Sequence, residues 1–338
     1  MEQFYNYSLK HLNTFNVDAK AGRYIRFGRV DEITSFLAAE DLSTRPCLIL
    51  GGGSNLLFVG DKVDTVLHPV LKGIEILDRN ADCVRVRVMA GERWDDWVAY
   101  AVSNAWGGIE NLSLIPGSVG ASAIQNIGAY GVEAERVIEW VEAVSLPEGN
   151  PTRIKAKDCG FGYRDSFFKS RRPGRHLITA VVFRLQLRPR FELGYPGIRE
   201  QLESIGPPSL INVRRAVINL RRSRLPDPAV QGNAGSFFKN PVVPADVLEE
   251  LLEKHPHIPH YPQGDKRFKL AAGWLIDQCG WRGKALADAA VHDRHALVLV
   301  NRGCASGREI LTLSGMVARS VEERFGIALE REVQVVGG

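Results

Sequence analysis

The sequence predicts an α+β protein, rich in strands through its first half and alternating between helix and strand toward its end. Three observations carry that expectation. A compact apolar run, Cys47 to Leu50, feeds directly into a glycine loop. Val84, Val86 and Val88 alternate with Arg85 and Arg87, the period-2 pattern of a half-exposed strand. The last third carries helix-start signals, D-x-x-E at Asp246 and Glu249 and S-x-x-E at Ser306 and Glu309, on either side of an apolar run at 296–301.

Taken in order, residues 13–60 read as short α/β elements. Residues 91–104 read as a helix with Trp94, Trp97, Val98 and Ala101 on one side, and the apolar run 177–187 as a central strand. Residues 188–232 read as a polar connector punctuated by Pro207, Pro208, Pro226 and Pro228, with the last domain boundary near it. Beyond it, helices are expected over 246–254, over 269–279 (closed by Gly280) and over 306–325, with a buried strand over 296–301. Residues 327–336 alternate, with Leu329, Val333 and Val335 on one face and Glu330, Glu332 and Gln334 on the other.

The 338 residues are enough for two or three domains, and 45% hydrophobic with 24% charged residues is ordinary for a globular chain. The formal charge is only +4 and the basic residues are scattered, which argues against a nucleic-acid partner. Cys47, Cys83, Cys159, Cys279 and Cys304 are odd in number and contain no C-x-x-C pair, which points to a reducing compartment and away from a zinc framework. The N-terminus has no apolar h-region and no run reaches membrane-span length, so a cytoplasmic protein without a membrane partner is expected. His255, His257 and His260 are spaced by prolines without a ligand set, so they read as a polar surface loop and no metal is expected.

The stretch 107–132, GGIENLSLIPGSVGASAIQNIGAYGV, organises the rest. Six glycines and five Ser or Asn residues interrupt an apolar run whose single acid is Glu110. Glycine costs about 1 kcal/mol against alanine inside a helix, so this density belongs where backbone takes φ > 0 or approaches something closely. Such a segment suits a large flat or phosphorylated ligand held by N–H groups, or equally a tight turn region between strands. Gly51-Gly52-Gly53-Ser54-Asn55 is a second such loop, open to the same two readings. It is not a dinucleotide fingerprint, since position 56 is Leu, and no GxxxxGK[ST] occurs.

Three further segments could carry chemistry. In GNAGSFFKNP, 232–241, Ser236 lies between a small-residue turn and two aromatics without a GxSxG elbow or a suitably spaced His. It is a proton donor or a turn cap. In CGFGYRDSFFK, 159–169, Arg164 suits a carboxylate or phosphate, or else packs on an aromatic ring in a structural ion pair. Glu332 is either a solvated strand carboxylate or an acid aimed into a cleft. The 221–224 arginine cluster is a solvated face or meets a diphosphate.

Together LGGGSN, ENLSLIPGSVGASAIQNIGAYG, GYRDSFFK, GNAGSFFKNP, LAAGWLIDQCG and LEREV, in this order from about Asn13 to Gly337, closely resemble the UDP-N-acetylenolpyruvoylglucosamine reductase (MurB) family, in its longer type I branch. The resemblance implies an FAD-binding fold of the vanillyl-alcohol-oxidase (PCMH) type in two subdomains plus a C-terminal α/β substrate-binding domain. Its divisions would be 1–70 with the C-terminal strand 327–338, then 71–200, then 215–326. It implies that Gly51, Gly52, Gly53, Ser54 and Asn55, with Pro116, Gly117, Ser118, Gly120, Ala121 and Ser122, hold FAD. The segment 19–29 contains no histidine to tether flavin, so the FAD should be non-covalent.

The resemblance also implies NADPH as co-substrate, Ser236 as proton donor to C2 of the enolpyruvyl group, and Arg164 and Glu332 as the pair acting on its carboxylate and enolate. Tyr130, Tyr163, Tyr195, Arg221, Arg224 and Asn240 match contacts to the sugar nucleotide, and a monomer is expected. Two positions depart from the family: Arg224 stands where lysine is common, and the Tyr195 loop reads GYPGI. An FAD-linked oxidase of the same fold would have no reason to keep Ser236 and Glu332 in these motifs. A silent nucleotide-sugar-binding protein would be expected to lose one of Ser236, Arg164 and Glu332.

Overall fold

The structure is a computed structural model that describes residues 1–40, 42 and 47–337. The chain forms two compact units. The first comprises Met1–Tyr7, Ala21–Gly53 and Val63–Ser223; the second comprises Ser8–Lys20, Ser54–Lys62 and Arg224–Gly338. The last division between the two units lies at Ser223–Arg224.

The first unit holds two sheets. One runs in the order Glu2–Ser8, Lys20–Phe27, Lys62–Pro69, Cys47–Ile49, with Cys47–Ile49 parallel to its neighbour. Helix α1, Val30–Ala39, buries Ile33, Phe36 and Leu37 in one apolar cluster with Ile25, Phe27 and Leu67. The other sheet has the order Pro151–Lys155, Ile138–Ser145, His176–Gln186, Cys83–Met89, Ile74–Arg79. His176–Gln186 is its middle strand, as the apolar run predicts.

The valines of 83–89 face inward against α2, Trp94–Ser103, whose Trp94, Trp97, Val98 and Ala101 are buried at helical spacing. Each of the larger of these side chains contributes roughly 1.5–3 kcal/mol by leaving water. The outward Arg85 and Arg87 pair with Glu139 and Glu142 on the 138–145 strand.

Helix α3, Val119–Ile124, lies within the glycine-rich stretch. The supposed connector contains two helices, α4 (Ile198–Ile205) and α5 (Leu210–Arg224). Leu210, Val213, Ala216, Val217 and Leu220 bury one stripe of α5. The stripe's polar surroundings and the flanking prolines hid it in the sequence.

In the second unit the tail is built from antiparallel sheets. One is ordered Gly232–Ser236, Val298–Asn301, Ala289–Val291, Ala285–Leu286; the other Val242–Pro244, Arg267–Leu270, His260–Pro262. Helix α6, Ala245–Lys254, follows Pro244, which supplies no side-chain cap, so the expected Asp246/Glu249 capping box is absent: Asp246 already lies inside the first turn. Residues 269–279 divide into the end of the Arg267–Leu270 strand and α7, Ala272–Gln278, with Gly280 at φ +72° after it. The S-x-x-E signal is realised: Ser306 Oγ accepts from the Glu309 amide and the Glu309 carboxylate accepts from the Ser306 amide, opening α8, Gly307–Phe325.

The alternating 327–336 segment is a strand only at Gln334–Val336, parallel to Leu56–Phe58. Among the described residues no helix is long and apolar enough to cross a membrane, and no group of His, Cys, Asp and Glu could hold a metal ion.

Candidate functional site

In the first unit the two glycine loops meet. A Cβ on Gly52 would lie 2.6 Å from Gly117 Cα, and one on Gly51 would lie 3.0 Å from Ser118 Oγ. At Gly52, backbone therefore lies against backbone at a spacing that only glycine allows, while Gly51 meets side-chain atoms. Leu50 is anchored by its amide to Leu67 at 2.8 Å, and Gly53 turns at φ +61°. Among the described residues the amides of Gly51, Gly52, Gly53, Gly117 and Ser118 donate to no carbonyl. The amides of Gly120, Ala121 and Ser122 are engaged within the protein, with Ala90 O, Ser118 Oγ and Ser118 O. A cradle of close-set backbone with unspent N–H groups fits the diphosphate of a cofactor.

The 114–120 segment runs antiparallel to the entry of α2. Trp94 N donates to Gly117 O at 3.0 Å, Val119 N to Glu92 O at 2.9 Å and Gly120 N to Ala90 O at 2.9 Å. The loop is thus a fixed edge of the α2 scaffold.

Arg164 has φ +57°, and its Nη2 donates to Gly128 O at 2.7 Å, with the guanidinium 5.4 Å from the Tyr163 ring centroid. Lys169 Nζ donates to Arg164 O at 3.1 Å, fixing the turn from the far side. Tyr130, 8% exposed and at φ +50°, meets Tyr195 edge to face with ring centroids 4.7 Å apart. Asn111 Nδ2 donates at 2.9 Å to both Tyr130 O and Glu192 O, tying the Tyr195 loop to the Tyr130 turn. Arg221 lies among Tyr130, Asp95, Arg164 and Tyr195, and burial pushes its guanidinium pKa down. The first unit thus gathers Tyr130, Arg164, Tyr195 and Arg221 into one neighbourhood. A half-buried guanidinium beside tyrosines is a candidate anion site.

In the second unit Ser236 ends a strand with a register shift between Asn233 and itself, where Gly235 takes φ +70°. Phe237, Phe238 and Lys239 run against 330–332. Phe237 N donates to Leu297 O, Glu332 N to Phe237 O at 2.9 Å, and Lys239 N to Glu330 O at 2.8 Å. Asn55 donates through Nδ2 to Glu332 O at 3.1 Å and through its carbonyl accepts from Gln334 N at 3.0 Å. Ser236, Glu332 and Asn55 are therefore brought together, with Ser54 next in chain. Asn240 Oδ1 accepts from Ala272 N at 3.0 Å, and Arg224 stands exposed at the end of α5.

Sequence reading misses Asn111, Asp95 and Lys169, which hold site backbone, and Arg214, which holds the Asp95 carboxylate. Asn111 lay in the glycine-rich stretch without a motif. The other three are ordinary charges whose role exists only through partners distant in sequence.

Residues 227–336 match the family profile of the UDP-N-acetylenolpyruvoylglucosamine reductase C-terminal domain, and residues 22–155 match that of an FAD binding domain. A UDP-N-acetylenolpyruvoylglucosamine reductase of Bacteroides fragilis is 47% identical over 336 residues, covering 99% of this chain and 100% of its own. One from Chromobacterium violaceum is 48% identical over 327 residues, covering 96% of each chain. Among solved structures, UDP-N-acetylenolpyruvylglucosamine reductase (MurB) from Thermus caldophilus superposes with a TM-score of 0.67 at 26% identity, over 99% of this chain and 98% of that one.

Proposed function

Because this chain belongs to the UDP-N-acetylenolpyruvoylglucosamine reductase family, an FAD-dependent group of oxidoreductases of peptidoglycan precursor synthesis, we propose that it reduces UDP-N-acetylglucosamine enolpyruvate to UDP-N-acetylmuramate with NADPH. Its fold is the vanillyl-alcohol-oxidase type of FAD-binding fold joined to the reductase C-terminal domain. FAD, when bound, supplies hydride transfer at N5, accepting from NADPH and delivering to C3 of the enolpyruvyl group.

The chain's own residues do the rest. Gly51, Gly52, Gly53, Gly117 and Ser118 offer amides to the FAD diphosphate, with Ser54, Asn55, Pro116, Gly120, Ala121 and Ser122 shaping that cradle. As C3 gains hydride, negative charge develops at C2 and spreads into the carboxylate as an enolate. Arg164 takes the carboxylate, and Glu332 acts on the enolate side. Charge fixed in advance where the transition state needs it is commonly the largest catalytic contribution. Ser236 gives the proton to C2. Tyr130, Tyr163, Tyr195, Arg221, Arg224 and Asn240 receive the sugar and diphosphate. The protein acts as a cytoplasmic monomer with FAD held non-covalently, and its parts divide as 1–70 with 327–338, 71–200 and 215–326.

The observation that carries this reading is the ladder between 237–239 and 330–332, which holds the Ser236 turn beside Glu332. An anaerobic spectrum tests the reading. A yellow protein should bleach with NADPH and regain colour with the enolpyruvyl sugar nucleotide, and failure of the second step would leave an oxidase of another substrate. Ser236→Ala should leave bleaching nearly intact and slow recolouring by roughly 10²–10⁴-fold. Equal damage to both half-reactions would remove Ser236 from the proton-donor role.

A further inference from the structure

Leu114 is gripped from two helices. It takes φ +59°, a left-handed conformation that a leucine adopts only when its surroundings hold it there. Its N–H donates to Asp95 Oδ1 at 2.5 Å, and its carbonyl accepts from Arg221 Nε at 3.1 Å. Asp95 sits in the first turn of α2 and is itself bound through both oxygens, by Arg214 Nη1 at 2.7 Å and Nη2 at 3.0 Å. Arg214 and Arg221 are seven residues apart on α5, two turns along one stripe. The bidentate pair fixes α5 to α2 in both distance and rotation.

Two residues beyond Leu114 begins the 116–122 segment, a turn running into the first residues of α3 and laced to the α2 entry by the Trp94, Val119 and Gly120 amides. On the other side of the clamp, Arg221 spends Nε on Leu114 and keeps its two Nη groups without a hydrogen-bond partner among the described residues. The Asp95 carboxylate is paired with Arg214 and not with Arg221. The one hydrogen bond to Leu114 therefore sets which way a guanidinium with two unspent nitrogens faces.

We infer that Asp95 and Arg214 are positioning residues that hold Leu114 as a hinge pin, so that the cofactor segment 116–122 and the anion-binding guanidinium of Arg221 are set through one and the same residue. Cofactor binding and sugar-nucleotide binding are then coupled through Leu114. The inference rests on the reductase reading for the roles of the loop and of Arg221, while the clamp itself rests on geometry alone.

The test is a double-mutant cycle on the FAD-loaded protein, using Asp95→Ala, Asp95→Asn, Arg221→Met and Asp95→Ala/Arg221→Met. Asp95→Ala should raise KM for UDP-N-acetylglucosamine enolpyruvate about tenfold, with a smaller change in kcat, and should weaken FAD retention by a similar factor. Asp95→Asn keeps an acceptor for the Leu114 amide but loses the ion pair, and should fall between wild type and Asp95→Ala. The double variant should bind the sugar nucleotide no worse than Arg221→Met alone, because both changes remove one arrangement.

A lowered melting temperature with KM and FAD retention unchanged would overturn the clamp, as would KM effects that multiply in the double variant. If Asp95→Ala does not fold, Asp95→Asn decides on the same readouts. If the wild type does not turn over the enolpyruvyl substrate, the reductase reading fails, and FAD retention in the Asp95 variants alone decides the clamp.

Discussion

At the scale of single residues, the glycines of the two loops differ in what they are for. Gly52 answers to a close approach, since any Cβ would press on the Gly117 backbone at 2.6–2.8 Å. Gly52→Ala must push the loops apart, and forced overpacking of this kind costs about 1–3 kcal/mol. The purified variant should carry markedly less flavin, read as the ratio of absorbance near 450 nm to that of the protein; undiminished flavin would show that the cradle is not the cofactor's. Glu110 is a different case. It is 2% exposed, accepts the Gly108 amide at 2.7 Å, and burial raises its pKa.

A carboxyl whose folded pKa exceeds its unfolded one favours the folded state while both are protonated, and that advantage is lost as pH rises through the unfolded and then the folded value. Glu110→Gln removes the ionisation. Its melting temperature relative to wild type should therefore climb from acidic to neutral pH. A constant difference across that range would place the cause elsewhere.

At the scale of elements, the signals legible in the sequence are local ones. The α2 apolar spacing and the Ser306/Glu309 capping box involve residues within a turn or two of each other. Asp246/Glu249 failed because the same four-residue pattern can lie one position inside a helix that Pro244 already starts. Helices α4 and α5 are hidden in the sequence although the α5 stripe is present there, since arginines and flanking prolines lower its apparent apolarity. That omission matters, because α5 carries Arg214 and Arg221.

The start of α8 shows what no local pattern reveals. A Cβ on Gly307 would lie 1.7 Å from Phe58 O, so α8 begins in direct contact with the strand that pairs with Gln334–Val336. Gly307→Ala should destabilise the fold by about 3 kcal/mol or more, seen as a lower denaturant midpoint. A wild-type midpoint would show that the helix start can shift aside.

At the scale of the whole molecule, the chain passes between its two units at Tyr7–Ser8, Lys20–Ala21, Gly53–Ser54, Lys62–Val63 and Ser223–Arg224. The crossing at Gly53–Ser54 divides the first glycine loop itself. The sequence by itself determined the α+β class, the two glycine loops and the identity of Ser236, Arg164 and Glu332 as residues worth testing. Each of these is legible because glycine density, period-2 alternation and short motifs are properties of neighbouring residues.

Only the tertiary structure decided that Gly52 abuts Gly117, that Glu332 lies beside the Ser236 turn, that Leu114 is held by Asp95 and Arg221, and that 8–20 and 54–62 cluster with the C-terminal region. These are contacts between residues tens to hundreds of positions apart. Their partners are chosen by burial and by hydrogen-bond satisfaction over the folded chain, and a linear pattern does not encode which distant group will satisfy a given amide, carboxylate or guanidinium.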